Sequence, residues 1–155
     1  MVKRILFVCT QNVFRSMSAK FLMEKFLEER GIYDFEVDSA GTISYSFESP
    51  YRKTISRLYE LGIDSRAHRN KRVDEELLRK SDIVICMSEH HRKSIKEDFG
   101  VDSYLFNEIA HDLTEDLADD NEAEFDDLNE FIEKTINYIN NSIPHLYENL
   151  NKYID

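Results

Sequence analysis

The segment CTQNVFRS, Cys9 to Ser16, places a cysteine six residues before an arginine, and no other stretch of the sequence concentrates as much potential chemistry. A thiolate is a strong nucleophile, and a guanidinium offers a planar fork of donors that matches two oxygens of a phosphoryl group, which an ammonium cannot do. If the residues between them form a loop running into a helix, backbone N–H groups from Thr10 to Phe14 converge on an anion. The helix dipole reinforces that field, which also favours the thiolate form of Cys9. The spacing alone occurs often by chance. It gains meaning only if a buried strand precedes it and a helix follows.

The flanking sequence supplies both. Val2 to Cys9 is an apolar run without alternation, as expected of a strand buried on both faces of a parallel sheet. From Ser16 to Arg30, Met17, Phe21, Leu22 and Phe26 recur at helical spacing, and Gly31 stops the helix. Further on, Phe35 to Ser39 reads as a strand and Ala40 to Pro50 as a loop. Tyr51 to Leu61 reads as a helix closed by Gly62, and Asp74 to Arg79 as a short helix. Asp82 to Met87 is a third strand, Glu89 to Phe99 a helix ending at Gly100, and Val101 to Phe106 a fourth strand. Phe125, Leu128, Phe131, Ile132, Ile136, Ile139 and Ile143 mark a long amphipathic helix that Pro144 is expected to kink or end.

This alternation predicts one α/β domain over residues 1–155, doubly wound, with a four-stranded parallel sheet in the order 2-1-3-4 and helices on both faces. In such sheets ligands bind beyond the carboxyl ends of the strands, where Cys9 falls.

With 20 basic and 31 acidic residues the formal net charge is -11, which disfavours nucleic acid and anionic membrane surfaces as partners. No apolar run is long enough to span a bilayer and ILFVC is too short for a signal core, so a cytoplasmic monomer is expected. Two cysteines, Cys9 and Cys86, exclude a disulfide scaffold and an all-cysteine metal site. His68, His90, His91, His111 and His145 show no metal-ligand spacing, and the neighbours His90 and His91 would point to different faces of a helix. Neither metal nor cofactor is expected. Eleven acidic residues lie between Asp112 and Glu133 without a basic one, and four basic residues lie between Arg66 and Arg72; both read as solvated surface.

FVCTQNVFRS, DSAGT at Asp38 to Thr42, GIDSRAHR and DIVICMS together resemble the low-molecular-weight protein tyrosine phosphatases over essentially the whole chain. The resemblance implies that Cys9 attacks phosphorus and Arg15 binds the phosphoryl oxygens. It also implies that Asn12 holds the loop and that Ser16 hydrogen-bonds the thiolate. Thr10, Gln11, Asn12, Val13, Phe14 and Ser16 would line the phosphate, with Val13 as an apolar lip and Tyr45 as the aromatic wall of the substrate ring. The family's general acid is sought in DLADD, where Asp119 is the first choice and Asp120 and Asp116 are alternatives. Three positions depart from the family pattern: Gln11 stands for glycine, Phe14 for a second cysteine and Met17 for proline.

The implied activity is hydrolysis of phosphotyrosine or a similar aryl phosphate, on a protein or a small molecule, through a phosphocysteine. Two alternatives use the same scaffold. A thiol-dependent arsenate reductase would need three thiols if self-contained, and a phosphate-binding module would bind without turnover.

Overall fold

The computed structural model describes residues 1–43, 49–117 and 127–154. Four parallel strands form one sheet in the order β2-β1-β3-β4: β1 Lys3–Cys9, β2 Phe35–Gly41, β3 Ile83–Cys86 and β4 Tyr104–Leu105. The helices are α1 Arg15–Glu29, α2 Arg52–Glu60, α3 Glu75–Lys80, α4 Glu89–Phe99, α5 Phe106–His111 and α6 Leu128–Asn149, with a closing 3-10 turn Leu150–Lys152. Fold class and strand order are those expected from the sequence.

The central strand is buried on both sides because its alternate residues feed two cores. Ile5 and Phe7 meet Met17, Leu22 and Met23 of α1, Phe106 and Ile109 of α5, and Ile132, Ile136 and Ile139 of α6. Leu6 and Val8 face the other way, toward Leu77 and Leu78 of α3 and Ile95 of α4. The chain steps from β1 outward to β2 and then back past β1 to β3. The loops after β1 and β3 therefore leave in different directions and open a crevice at their carboxyl ends.

Two readings are corrected. The expected strand Val101 to Phe106 pairs only over Tyr104–Leu105, because a helical turn begins at Phe106, where the Glu108 carboxylate accepts from Leu105 N at 3.1 Å and caps it. Pro144 does not end α6. The helix runs on to Asn149, since Leu146 and Leu150 are fully buried and their packing outweighs the backbone bond that proline removes. Among the described residues no helix is long and apolar enough to cross a membrane.

Candidate active site

The first nine residues end on Cys9 at the tip of β1, and α1 starts at Arg15. The five residues between must turn a strand into a helix while satisfying their own backbone. Their carbonyls do so by facing outward. The carbonyls of Cys9 and Thr10 accept from Thr42 N at 2.9 Å and Ile43 N at 3.1 Å. Those of Gln11 and Asn12 accept from Asn70 Nδ2 at 3.2 Å and His68 Nε2 at 2.7 Å. In a planar trans peptide the N–H points opposite to the preceding C=O. Fixing four consecutive carbonyls outward thus turns the amides of Thr10, Gln11, Asn12 and Val13 toward the inside of the loop, the arrangement of an anion-binding nest.

Two residues make this turn possible. Asn12 has φ 62°, a left-handed conformation that asparagine tolerates better than most side chains. Gly41 lies so close beneath the loop that a Cβ there would stand 2.4 Å from the Thr10 carbonyl oxygen, which excludes any other residue without moving backbone. Gln11, which stands where the family pattern has glycine, does not adopt a positive φ. The unusual conformation is carried by its neighbour.

Asn12 is wholly buried, and its amide donates to Ser16 Oγ at 2.8 Å and Ser39 Oγ at 2.9 Å, while its Oδ1 accepts from Lys71 N at 3.1 Å. Ser16 Oγ lies 2.9 Å from Cys9 Sγ. Ser16 Oγ also lies 3.5 Å from the Ala40 carbonyl, but a thiolate at Cys9 can only accept, so in that form the closer Ser16 hydroxyl is its donor. Arg15 is 2% exposed. Its Nη1 donates to Ser88 Oγ at 2.9 Å and to the Leu117 carbonyl at 2.5 Å, fixing the guanidinium between the loop after β3 and the segment after α5.

Other expected residues divide. Thr10, Gln11 and Val13 are part-exposed on the loop. Phe14 is 4% exposed, with its ring against Tyr51 and Phe131 at centroid distances of 6.5 and 6.2 Å, so only its backbone belongs to the loop. Met17 is core. Asp116 serves α4 instead, since its Oδ1 accepts from Glu89 N at 2.8 Å and caps that helix. Tyr45, Asp119 and Asp120 lie outside the described residues. Among the described residues no group of three or more His, Cys, Asp or Glu is placed to hold a metal.

Sequence reasoning misses the braces. In the sequence His68 and His91 show no metal-ligand spacing and no other role, yet His68 holds the Asn12 carbonyl and His91 Nε2 lies 2.8 Å from Thr10 Oγ1. Burial lowers the His68 pKa below the usual imidazole range, which keeps a ring that donates from Nε2 neutral. Ser39 and Ser88 sit inside the motifs DSAGT and DIVICMS, which is the available signal.

The sequence matches the low molecular weight phosphotyrosine protein phosphatase family over residues 4–154. The chain belongs to this family. It is 30% identical over 95 residues to the low molecular weight protein-tyrosine-phosphatase Ptp of Acinetobacter johnsonii, covering 61% of this chain and 63% of that protein. It is 34% identical over 100 residues to a protein-arginine-phosphatase of Bacillus subtilis (strain 168), covering 62% and 63%. The match thus spans a little under two thirds of the length of these two relatives. Solved structures superpose more completely. A YwlE arginine phosphatase, a cysteine-to-serine mutant whose active-site serine is phosphorylated, gives a TM-score of 0.85 at 25% identity over 97% of both chains. A low molecular weight protein tyrosine phosphatase from T. tengcongensis gives 0.83 at 28% identity over 94% of this chain and 98% of that one.

Proposed function

We propose that this protein is a phosphatase that hydrolyses phosphotyrosine or a similar aryl phosphate through a phosphocysteine on Cys9. The observation that carries the reading is the 2.9 Å approach of Ser16 Oγ to Cys9 Sγ, beside a loop whose outward-held carbonyls turn its amides inward. Cys9 attacks phosphorus in line with the leaving oxygen. The inward amides and Arg15 take the charge on the equatorial oxygens, and Ser16 stabilises the sulfur when it departs in the second step. A carboxylic acid is needed because a phenolate leaves slowly unless protonated. Asp119 takes that role in our reading. Asp116 does not, since its carboxylate is engaged with the first turn of α4.

The curated relatives also include an arsenate reductase of Halalkalibacterium halodurans. Against that chemistry, the second thiol packs on the opposite side of the sheet from Cys9.

Likeness to the Bacillus subtilis protein-arginine-phosphatase makes phosphoarginine the substrate to set against phosphotyrosine. Purified protein is assayed on phosphotyrosine peptides, a phosphoarginine protein and small aryl phosphates, with the phosphoenzyme trapped by acid quench. Release of phosphate from the aryl esters with label on Cys9 supports the proposal. Turnover of phosphoarginine alone replaces the substrate, and binding without turnover leaves a recognition module. Asp119→Asn is expected to slow phosphotyrosine hydrolysis far more than that of an ester with an acidic leaving group, which needs no proton. Equal losses on both would move the acid to Asp120.

A further inference from the structure

His90 and His91 are consecutive in the first turn of α4, yet His90 is exposed and His91 is fully buried. Both ring nitrogens of His91 are engaged. The backbone N–H of Ser88 donates to Nδ1 at 3.1 Å, which requires a lone pair there and so places the ring proton on Nε2. That proton points at Thr10 Oγ1, 2.8 Å away. The ring thereby joins the residue directly after the nucleophile to the residue whose hydroxyl holds Arg15 at 2.9 Å. Ser88 Oγ also reaches the Leu117 carbonyl at 3.3 Å, the same oxygen that receives Arg15 Nη1.

Resting on the phosphatase reading, we propose that His91 is a positioning residue, a rigid strut that fixes the nucleophile loop at Thr10 relative to Ser88 and, through Ser88, to Arg15. The imidazole suits this role because its two nitrogens are held at a fixed separation by the ring. It must stay neutral, since a protonated Nδ1 could not accept from Ser88 N. Burial ensures this, with the charge of Arg15 and the neighbouring His90 ring acting in the same direction, and the His91 pKa is lowered to about 2.

The test separates the two bonds. His91→Gln keeps a donor where Nε2 stands, His91→Asn keeps an acceptor where Nδ1 stands, and His91→Leu keeps neither. For His91→Leu we expect kcat to fall about 10- to 100-fold, the scale on which a misplaced catalytic group costs rate, with KM changed less than about threefold. His91→Gln and His91→Asn should fall between. Thr10→Val should lower kcat in the wild-type background and add nothing to His91→Leu. Affinity for orthovanadate, which mimics the transition state and needs no turnover, should weaken in parallel. Nitrogen-15 NMR of wild type should show His91 as the Nε2–H tautomer from pH 8 down to pH 5, with its signal shifted by Thr10→Val.

Wild-type kcat and vanadate affinity in folded His91→Leu would overturn the strut, as would equal losses from Thr10→Val in both backgrounds. If His91→Leu does not fold, His91→Gln and Thr10→Val decide alone, and unchanged kcat in both overturns the proposal. If the wild-type protein turns over no phosphoester, the phosphatase reading fails, whereas the strut is still judged by the NMR signal and vanadate binding.

Discussion

The chain's two thiols stand at the carboxyl ends of neighbouring strands, with Val8 opposite Cys86 in register and Cys9 one residue beyond. That single residue decides their fates, because successive strand residues face opposite sides of a sheet. Cys9 joins the face packed by α1, α5 and α6, where β1 gives way to a loop and Ser16 reaches its sulfur. Cys86 joins the face packed by α3 and α4 and is fully buried, with Ser103 Oγ 3.5 Å away as its partner. Burial pushes its thiol pKa up to about 12, against the smaller opposing effect of the Ser103 hydrogen bond. The two thiols differ in their surroundings through strand register and what lies past the strand end, rather than through residue type.

The contrast breaks most directly by exchanging sulfur for oxygen at each position. Cys9→Ser should abolish turnover while leaving the unfolding midpoint near wild type, because a hydroxyl is not appreciably ionised. Cys86→Ser should keep kcat within about twofold and lose roughly 1 to 3 kcal/mol of stability, the cost of burying a poorly partnered hydroxyl. Steady-state kinetics beside urea unfolding reads both, and an inactive Cys86→Ser would erase the distinction.

Next in size is Arg15→Lys. It keeps the charge and discards the planar guanidinium, whose Nη1 alone donates to both Ser88 Oγ and the Leu117 carbonyl, so kcat should drop about 10²- to 10³-fold, as for loss of one oxyanion donor. A lysine variant of near-normal kcat would remove Arg15 from the site.

Oxidation sharpens the same contrast. Phe14 stands where the family usually has a second loop cysteine, and the sequence holds no thiols besides Cys9 and Cys86, which face opposite sides. Peroxide should carry Cys9 past the sulfenic acid to the sulfinic acid, with Cys86 left reduced and activity not restored by dithiothreitol. Recovery of activity with a Cys9–Cys86 disulfide in the mass spectrum would contradict the two-face arrangement.

The smallest effect concerns acid. His68 and His91 have pKa values lowered in the folded state, His91 to about 2, so between that value and the ordinary 6.5 the unfolded chain binds more protons. Stability should therefore rise with pH across this window and fade as pH drops below about 6.5, with a slope of roughly 1.4 kcal/mol per pH unit for each fully responding histidine. Urea midpoints from pH 7 to 5 measure the slope, and His91→Gln should flatten it. A slope unchanged in that variant would mean that the ring is not held neutral.

Most of the fold is readable because it rests on local patterns. The unbroken apolar run of β1, the helical stripes and the glycine stops at Gly31, Gly62 and Gly100, all of positive φ, are written in contiguous sequence. Cys9, Arg15 and Ser16 are readable for the same reason. His68, Asn70, Ser88 and His91 are not, since each acts on the loop from 56 or more positions away and only the order of strands brings it there. Pro144 misleads because local backbone rules favour a break where buried Leu146 and Leu150 hold the helix together.

The outward-facing carbonyls have a consequence for how the protein fails. Their donors come from residues 42–43 beside β2 and from residues 68–70, and the latter stretch is tied by Lys71 O and Val73 N to Gly41. The loop has no private hinge. Opening it means releasing a sheet edge and a second chain segment together, which makes these parts one cooperative unit in hydrogen exchange. The amides of residues 42, 43 and 73 should exchange together, and on heating catalysis should vanish with that unit rather than fade ahead of it.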